Sequence, residues 1–235
     1  MKKIILISFL ALTSLVSMAQ DNYREAVKTF IEQSSSNLDL SNVPAGLIDE
    51  LYDITAEEFQ ANGVTIEEIN TYTAKVTKTK EGQTYLEHAK QIQSKEAQER
   101  LQNVLMPSLM PLFTGGEVKA IEAPEVPAEY QKKYHEFYVA TNAGSQFDTV
   151  FGALEGMLKS QPGAEETIGR VKTFFAENGE NMLLTISEGV FTEADLDFAI
   201  SLANSEEGKH INEASKDIAP KFMKVVMQKF GGLGM

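Results

Sequence analysis

The sequence predicts an all-α fold, a multi-helix bundle made of two related helical halves. Three observations predict it. Apolar residues recur at three- and four-residue steps in nearly every window, no stretch alternates convincingly at period two, and Thr–acid pairs and glycines punctuate the pattern like helix caps and stops.

Taken in order, Tyr23, Ala26, Val27, Phe30 and Ile31 share the face of a first helix. Pro44 opens a second, which presents Leu47, Ile48, Leu51 and Tyr52. Thr55 with Glu58 and Thr65 with Glu68 read as two successive capping boxes, each marking a helix start. Asn62-Gly63 between them reads as a stop, because both residues tolerate the left-handed conformation that ends helices. A helix is expected from 66 to about 81, broken by Gly82, and a long one from about 84 to 113, kinked at Pro107 and Pro111. Residues 114–128 hold Gly115-Gly116, Pro124 and Pro127 and read as a linker.

Beyond the linker the helical period resumes. Tyr134, Phe137, Tyr138 and Thr141 share a face, as do Phe147, Val150, Phe151, Leu154 and Leu158. After Pro162-Gly163 come Ile168, Val171, Phe174 and Phe175, with Asn178-Gly179 read as their stop, then Met182, Leu183 and Ile186. Thr192 caps a helix with Asp195, Gly208 breaks it, and the last helix runs from about 209 to 230, closed by Gly231-Gly232. The organisation expected is a signal peptide over 1–19, a first helical half over 20–113, the linker over 114–128, and a second half over 129–235. Each half is expected to bundle its own helices.

The N-terminus has the grammar of an export signal. Lys2 and Lys3 precede an uncharged apolar run over 4–16, and Ser17 and Ala19 supply small side chains, which places cleavage between Ala19 and Gln20. That run falls short of the ~20 residues a bilayer-spanning helix takes. The chain has no cysteine, which excludes a lipoprotein anchor, disulfides, thiolate metal sites and thiol catalysis. The net charge of −13 becomes about −15 once the two lysines leave with the signal. Such a surface repels phosphate backbones and anionic headgroups, so neither nucleic acid nor a membrane is expected as a partner. A hydrophobic content of 43% sets the chain apart from disordered ones.

The two sides of the linker correspond to one another. Thr65-Ile66-Glu67-Glu68-Ile69 matches Thr192-Glu193-Ala194-Asp195-Leu196, and the segment from Val76 to Gly82 matches that from Leu202 to Gly208. Met106, Met110, Phe113 and Gly115-Gly116 match Met223, Met227, Phe230 and Gly231-Gly232 at the same steps. Phe191-Thr192-x-x-Asp195-Leu196 followed by Leu202-x-x-Ser205-x-x-Gly208-Lys209 resembles the signature of a family of exported bacterial helical domains catalogued as a domain of unknown function. The likeness spans about forty residues within 190–230 and, more weakly, the matching part of the first half. Leu202-Ala203 stands where the family has an aromatic pair, and Glu206 replaces its proline. The resemblance implies an exported helical fold and carries over no catalytic residue.

Residues with chemical potential form no recognisable constellation. His135-Glu136 begins like a zinc-protease helix but lacks its second histidine, since Val139 occupies that position. Glu207-x-x-His210 has di-iron spacing without the other ligands such a bundle needs. The adjacent pairs Glu57-Glu58, Glu67-Glu68, Glu165-Glu166 and Glu206-Glu207 diverge by about 100° on a helix and do not converge on a substrate. Gly152-x-x-x-Gly156 reads as a close helix contact. Met106, Met110, Phe113, Met223, Met227 and Phe230 read first as packing, and second as the lining of an adaptable apolar groove. No catalytic residue, metal or cofactor is assigned. Thr65, Glu68, Gly82, Thr192, Asp195, Leu196, Ser205 and Gly208 are assigned structural roles.

The functional expectation is a periplasmic or secreted, non-enzymatic protein that contacts an unknown protein partner or serves the envelope. The alternative is a carrier of a small apolar ligand in the Met-rich groove, and a hydrolase acting on envelope material ranks third. N-terminal sequencing of protein recovered from outside the cytoplasm is expected to begin at Gln20. A chain that still carries Lys2 and Lys3 there overturns the export reading.

Overall fold

The computed structural model describes residues 21–34, 44–92, 94–114, 116, 118–145, 147, 151 and 163–230, with some side chains in 95–114 and 221–230 excepted. Ala19, Gln20 and Gly152-x-x-x-Gly156 lie outside the described residues. The chain is all-α: α1 spans 21–34, α2 Ala45–Ala61, α3 Ile66–Lys78, α4 Lys80–Gln91, α5 Lys95–Thr114 and α6 Ala128–Ala140. A short 3-10 turn at Ala143–Ser145 leads toward α7 (Ala164–Ser187), followed by α8 (Glu193–Asn204), α9 (Glu206–Ala214) and α10 (Ile218–Phe230). Among the described residues there is no strand, and no helix is long and apolar enough to cross a membrane.

Two helix pairs carry the internal correspondence. Thr65 and Thr192 each accept a hydrogen bond from the backbone three residues on, while Glu68 and Asp195 reach back to the cap backbone, so both capping boxes form. Each helix then ends in an extended residue, Thr79 or Ser205, whose side chain caps the next helix through the amide of Gly82 or Gly208. The glycines therefore do not break the helices as the sequence suggested. They sit in the first turn of α4 and α9, where a Cβ on Gly82 would overlap the carbonyl oxygens of Lys75 and Val76, and one on Gly208 that of Leu202. Absence of a side chain is what lets two successive helices fold against each other across a one-residue corner.

These pairs interlock. α3 packs on α4, α8 on α9, α4 on α8 and α9 on α3, an arrangement with approximate two-fold character. Outside it, α10 lies on α2, α6 on α8 and α5 on α7. The halves thus do not bundle separately. Tyr23, Val27, Phe59, Val64 and Ile69 share one apolar cluster with Ile211 and Ala214 from beyond the linker. Ala89 joins Tyr134, Phe137, Phe191, Leu196 and Ala199 in another. Leu112 and Ile121 pack with Val171, Phe174, Phe175 and Met182 in a third. Helices amphipathic on more than one face bury those faces wherever a complementary surface lies, irrespective of which side of the linker supplies it.

Four local expectations change for identifiable reasons. Thr55 lies inside α2, its hydroxyl donating to the Leu51 carbonyl at 2.7 Å, so Thr55–Glu58 is not a cap. The helix predicted over 84–113 is two helices, with the Ser94 hydroxyl accepting from the Ala97 amide at the start of α5. The last helix is also two, divided at 215–217, where the Ser215 hydroxyl donates to the Ile211 carbonyl. Asn178-Gly179 does not stop α7, which continues to Ser187. Asn178 instead accepts the Ile121 amide at 2.7 Å and donates to the Phe174 carbonyl, and Asn181 donates to the Ile121 carbonyl at 2.9 Å. Gly179 leaves room for the Phe147 ring, whose edge would stand 2.5 Å from a Cβ there. Two asparagines thereby strap the linker to the helix, with Ile121 buried beneath.

The corner glycines yield a direct test. Gly82→Ala and Gly208→Ala are each expected to destabilise by about 2–3 kcal/mol, because backbone rather than a pliant side chain must move. Gly169→Ala, with open space at the site inside α7, is expected to stabilise by ~0.5–1 kcal/mol. Chemical denaturation of the three variants checks both signs.

Candidate functional site

Three histidines make separate contacts with three acids. His88 on α4 donates from Nδ1 to Asp195 at 2.8 Å, and His210 on α9 donates from Nδ1 to Glu68 at 2.8 Å. The bonds are reciprocal: the second helix of each pair grips the capping acid at the start of the other pair's first helix. Asp195, only 3% exposed, also receives the Thr192 backbone N–H and hydroxyl. Glu68 likewise receives the Thr65 N–H at 2.7 Å and hydroxyl at 2.8 Å. His135, exposed on α6, meets Glu180 at 2.9 Å. No two of these histidines share an acid, and each carboxylate is occupied by closing a helix or tying helices together.

The electrostatics follow from these contacts. The His210 bond, helped by the Thr65 backbone, draws the Glu68 carboxyl down to about 2. The Glu68 contact and then the Asn62 carbonyl raise the imidazole above its ordinary value. Two buried acids have lysine partners on other helices: Glu207 of α9 with Lys75 of α3, and Glu58 of α2 with Lys221 of α10. Burial works against the Glu207 charge, yet the Lys75 bond and the local hydrogen bonds leave its carboxyl below the ordinary value.

Concave surface lies on two sides of α7. One open cleft of about 610 Å³ runs between the end of α6, the middle of α7 and the turn joining α9 to α10. Its apolar lining comes from Tyr138, Phe147, Phe151 and Phe175. The Phe147 and Phe175 ring centroids stand 4.7 Å apart, and those of Phe151 and Phe175 5.6 Å in an edge-on contact. Asn142, Ser145, Lys172, Lys216 and Asp217 give it a polar rim of mixed charge, Lys216 being paired with Glu213. The Tyr138 hydroxyl sits against Gly144, where a Cβ would come within 2.7 Å of it. A second cavity of about 480 Å³ lies by Leu112, Val118, Arg170, Thr173 and Phe174. Arg170 spans its edge by donating to the Pro111 and Gly116 carbonyls at 3.3 and 3.2 Å.

Two of the residues read as a groove can be placed. Met106 and Met110 stand 51% and 53% exposed on α5 and line neither cavity. The side chains of Phe113, Met223, Met227 and Phe230 lie outside the described residues. Thr65, Glu68, Gly82, Thr192, Asp195, Ser205 and Gly208 come together at the two interlocked corners, with Leu196 fully buried behind them. Sequence reading missed the cleft because its lining comes from segments far apart in the chain. The one signal available was aromatic density, with Phe147, Phe151, Phe174 and Phe175 all predicted to face inward. Among the described residues no group of three or more His, Asp or Glu side chains is placed to hold a metal ion. Comparison of the chain with protein-family models, with curated proteins and with solved structures returned no match.

The Glu68 contacts predict acid sensitivity. A carboxyl depressed in the folded state contributes stability that is present above its unfolded value near 4.5 and lost as pH falls toward about 2. The thermal midpoint of the unaltered protein is expected to fall more steeply between pH 5 and 2 than that of Glu68→Gln, and parallel curves would contradict the assignment.

Proposed function

We propose that this protein is exported and works by contact rather than by catalysis, engaging a partner protein through the aromatic cleft beside α7. The observation carrying the reading is the composition of that cleft: four aromatic side chains within a polar rim of mixed charge. This is the make-up of a surface pocket that receives an anchor residue from a partner, where desolvated aromatics contribute most of the affinity and the rim supplies register. The engagement of His88, His135 and His210 in ties between helices supports assigning them positional roles. Export rests on the Lys2-Lys3 start and the apolar run behind it. The likeness to exported helical domains of unknown function belongs to the same proposal, and the two interlocked corners support reading the chain as two diverged copies of such a unit.

A second reading has a specific observation in its favour. The cleft volume of about 610 Å³ lies within the range of small-molecule sites, so an apolar ligand could fill the cleft in place of a partner's side chain. The aromatic cleft, rather than the exposed Met106–Met110 surface, would then be the site of carriage.

Site-specific photocrosslinking separates these readings. A crosslinker at Asn142, on the cleft rim, is expected to trap a discrete protein adduct in the native envelope, and one at exposed Val139 at least ten-fold less. Phe151→Ala should reduce the Asn142 adduct by a comparable factor. Equal yields at both positions overturn the cleft assignment, while a native mass spectrum retaining a small lipophilic molecule, lost in Phe151→Ala, selects the carrier.

A further inference from the structure

Among the described residues, His210 is the histidine with both ring nitrogens bound to oxygen. Nδ1 lies 2.8 Å from Glu68 on α3, and Nε2 lies 2.8 Å from the backbone carbonyl of Asn62 at the end of α2. An ionised carboxylate and a carbonyl are both acceptors, so both contacts are hydrogen bonds only when the ring carries two protons. The same turn is held from the other side by Tyr23 of α1, whose hydroxyl donates to the Val64 carbonyl at 2.7 Å. The geometry points to a pH-sensitive tie: protonated His210 fastens α9 to the α2–α3 turn, and deprotonation releases one of its two bonds.

Among the described residues no other charge is positioned to replace that proton. On α3, Glu68 alone is bonded to the ring, Lys75 is turned to Glu207, and Glu67 and Lys78 are exposed. On α2, buried Glu58 is held by Lys221, and Glu57 faces solvent. On α8, Asp195 is bonded to His88, while Glu193 and Asp197 meet Lys133. Within α9, Glu206, Lys209 and Glu213 are exposed, and Glu213 pairs with Lys216. A neutral imidazole has one N–H for two acceptors, which turns a ring lone pair toward either the carboxylate or the carbonyl. Glu68 then loses its ionic partner while keeping its Thr65 bonds.

The sign follows from the raised His210 value. The tie contributes fully below the unfolded histidine value near 6.5 and is lost as pH rises through the folded value. The turn it holds lies over the cluster containing Val64, Ile69 and Ile211, so loosening is expected first at Asn62–Val64 and along α9.

Two measurements test the tie. Proton NMR of the intact protein should show the His210 ring titrating above 6.5. The thermal midpoint should fall by about 2–4 °C more between pH 6 and pH 9 in the unaltered protein than in His210→Gln. A ring that titrates at or below 6.5, or pH–stability curves that run parallel, overturns the proposal. If His210→Gln does not fold, the NMR titration of the unaltered protein decides by itself.

Discussion

Two carboxylates, Glu68 and Asp195, each do two jobs at once, and the arrangement of the central helices depends on that double use. Each closes the N-terminus of its own helix by receiving a threonine N–H and hydroxyl, and each receives a histidine from the other helix pair. The helix end supplies positive potential and oriented donors, which stabilise the anion before the histidine arrives. A capping acid is thereby converted into a docking point, and the position at which one helix begins determines where the other pair sits. The steric gap at Gly82 and Gly208 makes this geometry reachable, since a side chain there would push each second helix away from the one before it.

Charge is distributed consistently with this scheme. In a chain of net charge −13, the acids drawn into low-exposure positions, Glu58, Asp195 and Glu207, each have a cationic or histidine partner from another helix. Removing such a carboxylate from water is unfavourable unless a partner compensates, so these pairs select one packing of the helices more than they add net stability. Unlike the buried acids, exposed glutamates in first helical turns require only the helix dipole. The aromatic cleft beside α7 follows from the same packing, since it lies where α6, α7 and the α9–α10 turn meet.

Linear sequence reading recovered more of the local structure than of the candidate site. Thr65 and Thr192 were identifiable as caps because a capping box is a four-residue interaction, wholly contained in the chain segment that makes it. The correspondence between Val76–Gly82 and Leu202–Gly208 was visible too, although the glycines proved to be needed for close approach rather than for a left-handed turn. Asn178-Gly179 shows the limit of such reading. As a dipeptide it signals a stop, yet the asparagine amide finds Ile121 and the glycine faces Phe147, so tertiary contacts keep the helix running.

The sequence by itself determined the all-α class, the near-equivalence of the two helix pairs, and the two capping boxes that form, although it signalled a third at Thr55–Glu58 that lies inside α2. Each of these follows from periodicity or from bonds spanning three or four residues. Only the tertiary structure decided that helices from the two sides of 114–128 share their cores, that His88 and His210 reach across to capping acids, and that an aromatic cleft flanks α7. Those features depend on residues far apart in the chain, by more than a hundred positions for His88–Asp195 and His210–Glu68. Amphipathic periodicity specifies that a face must be buried, but it does not encode which of several apolar faces will cover it. Shape and charge complementarity among folded helices make that choice.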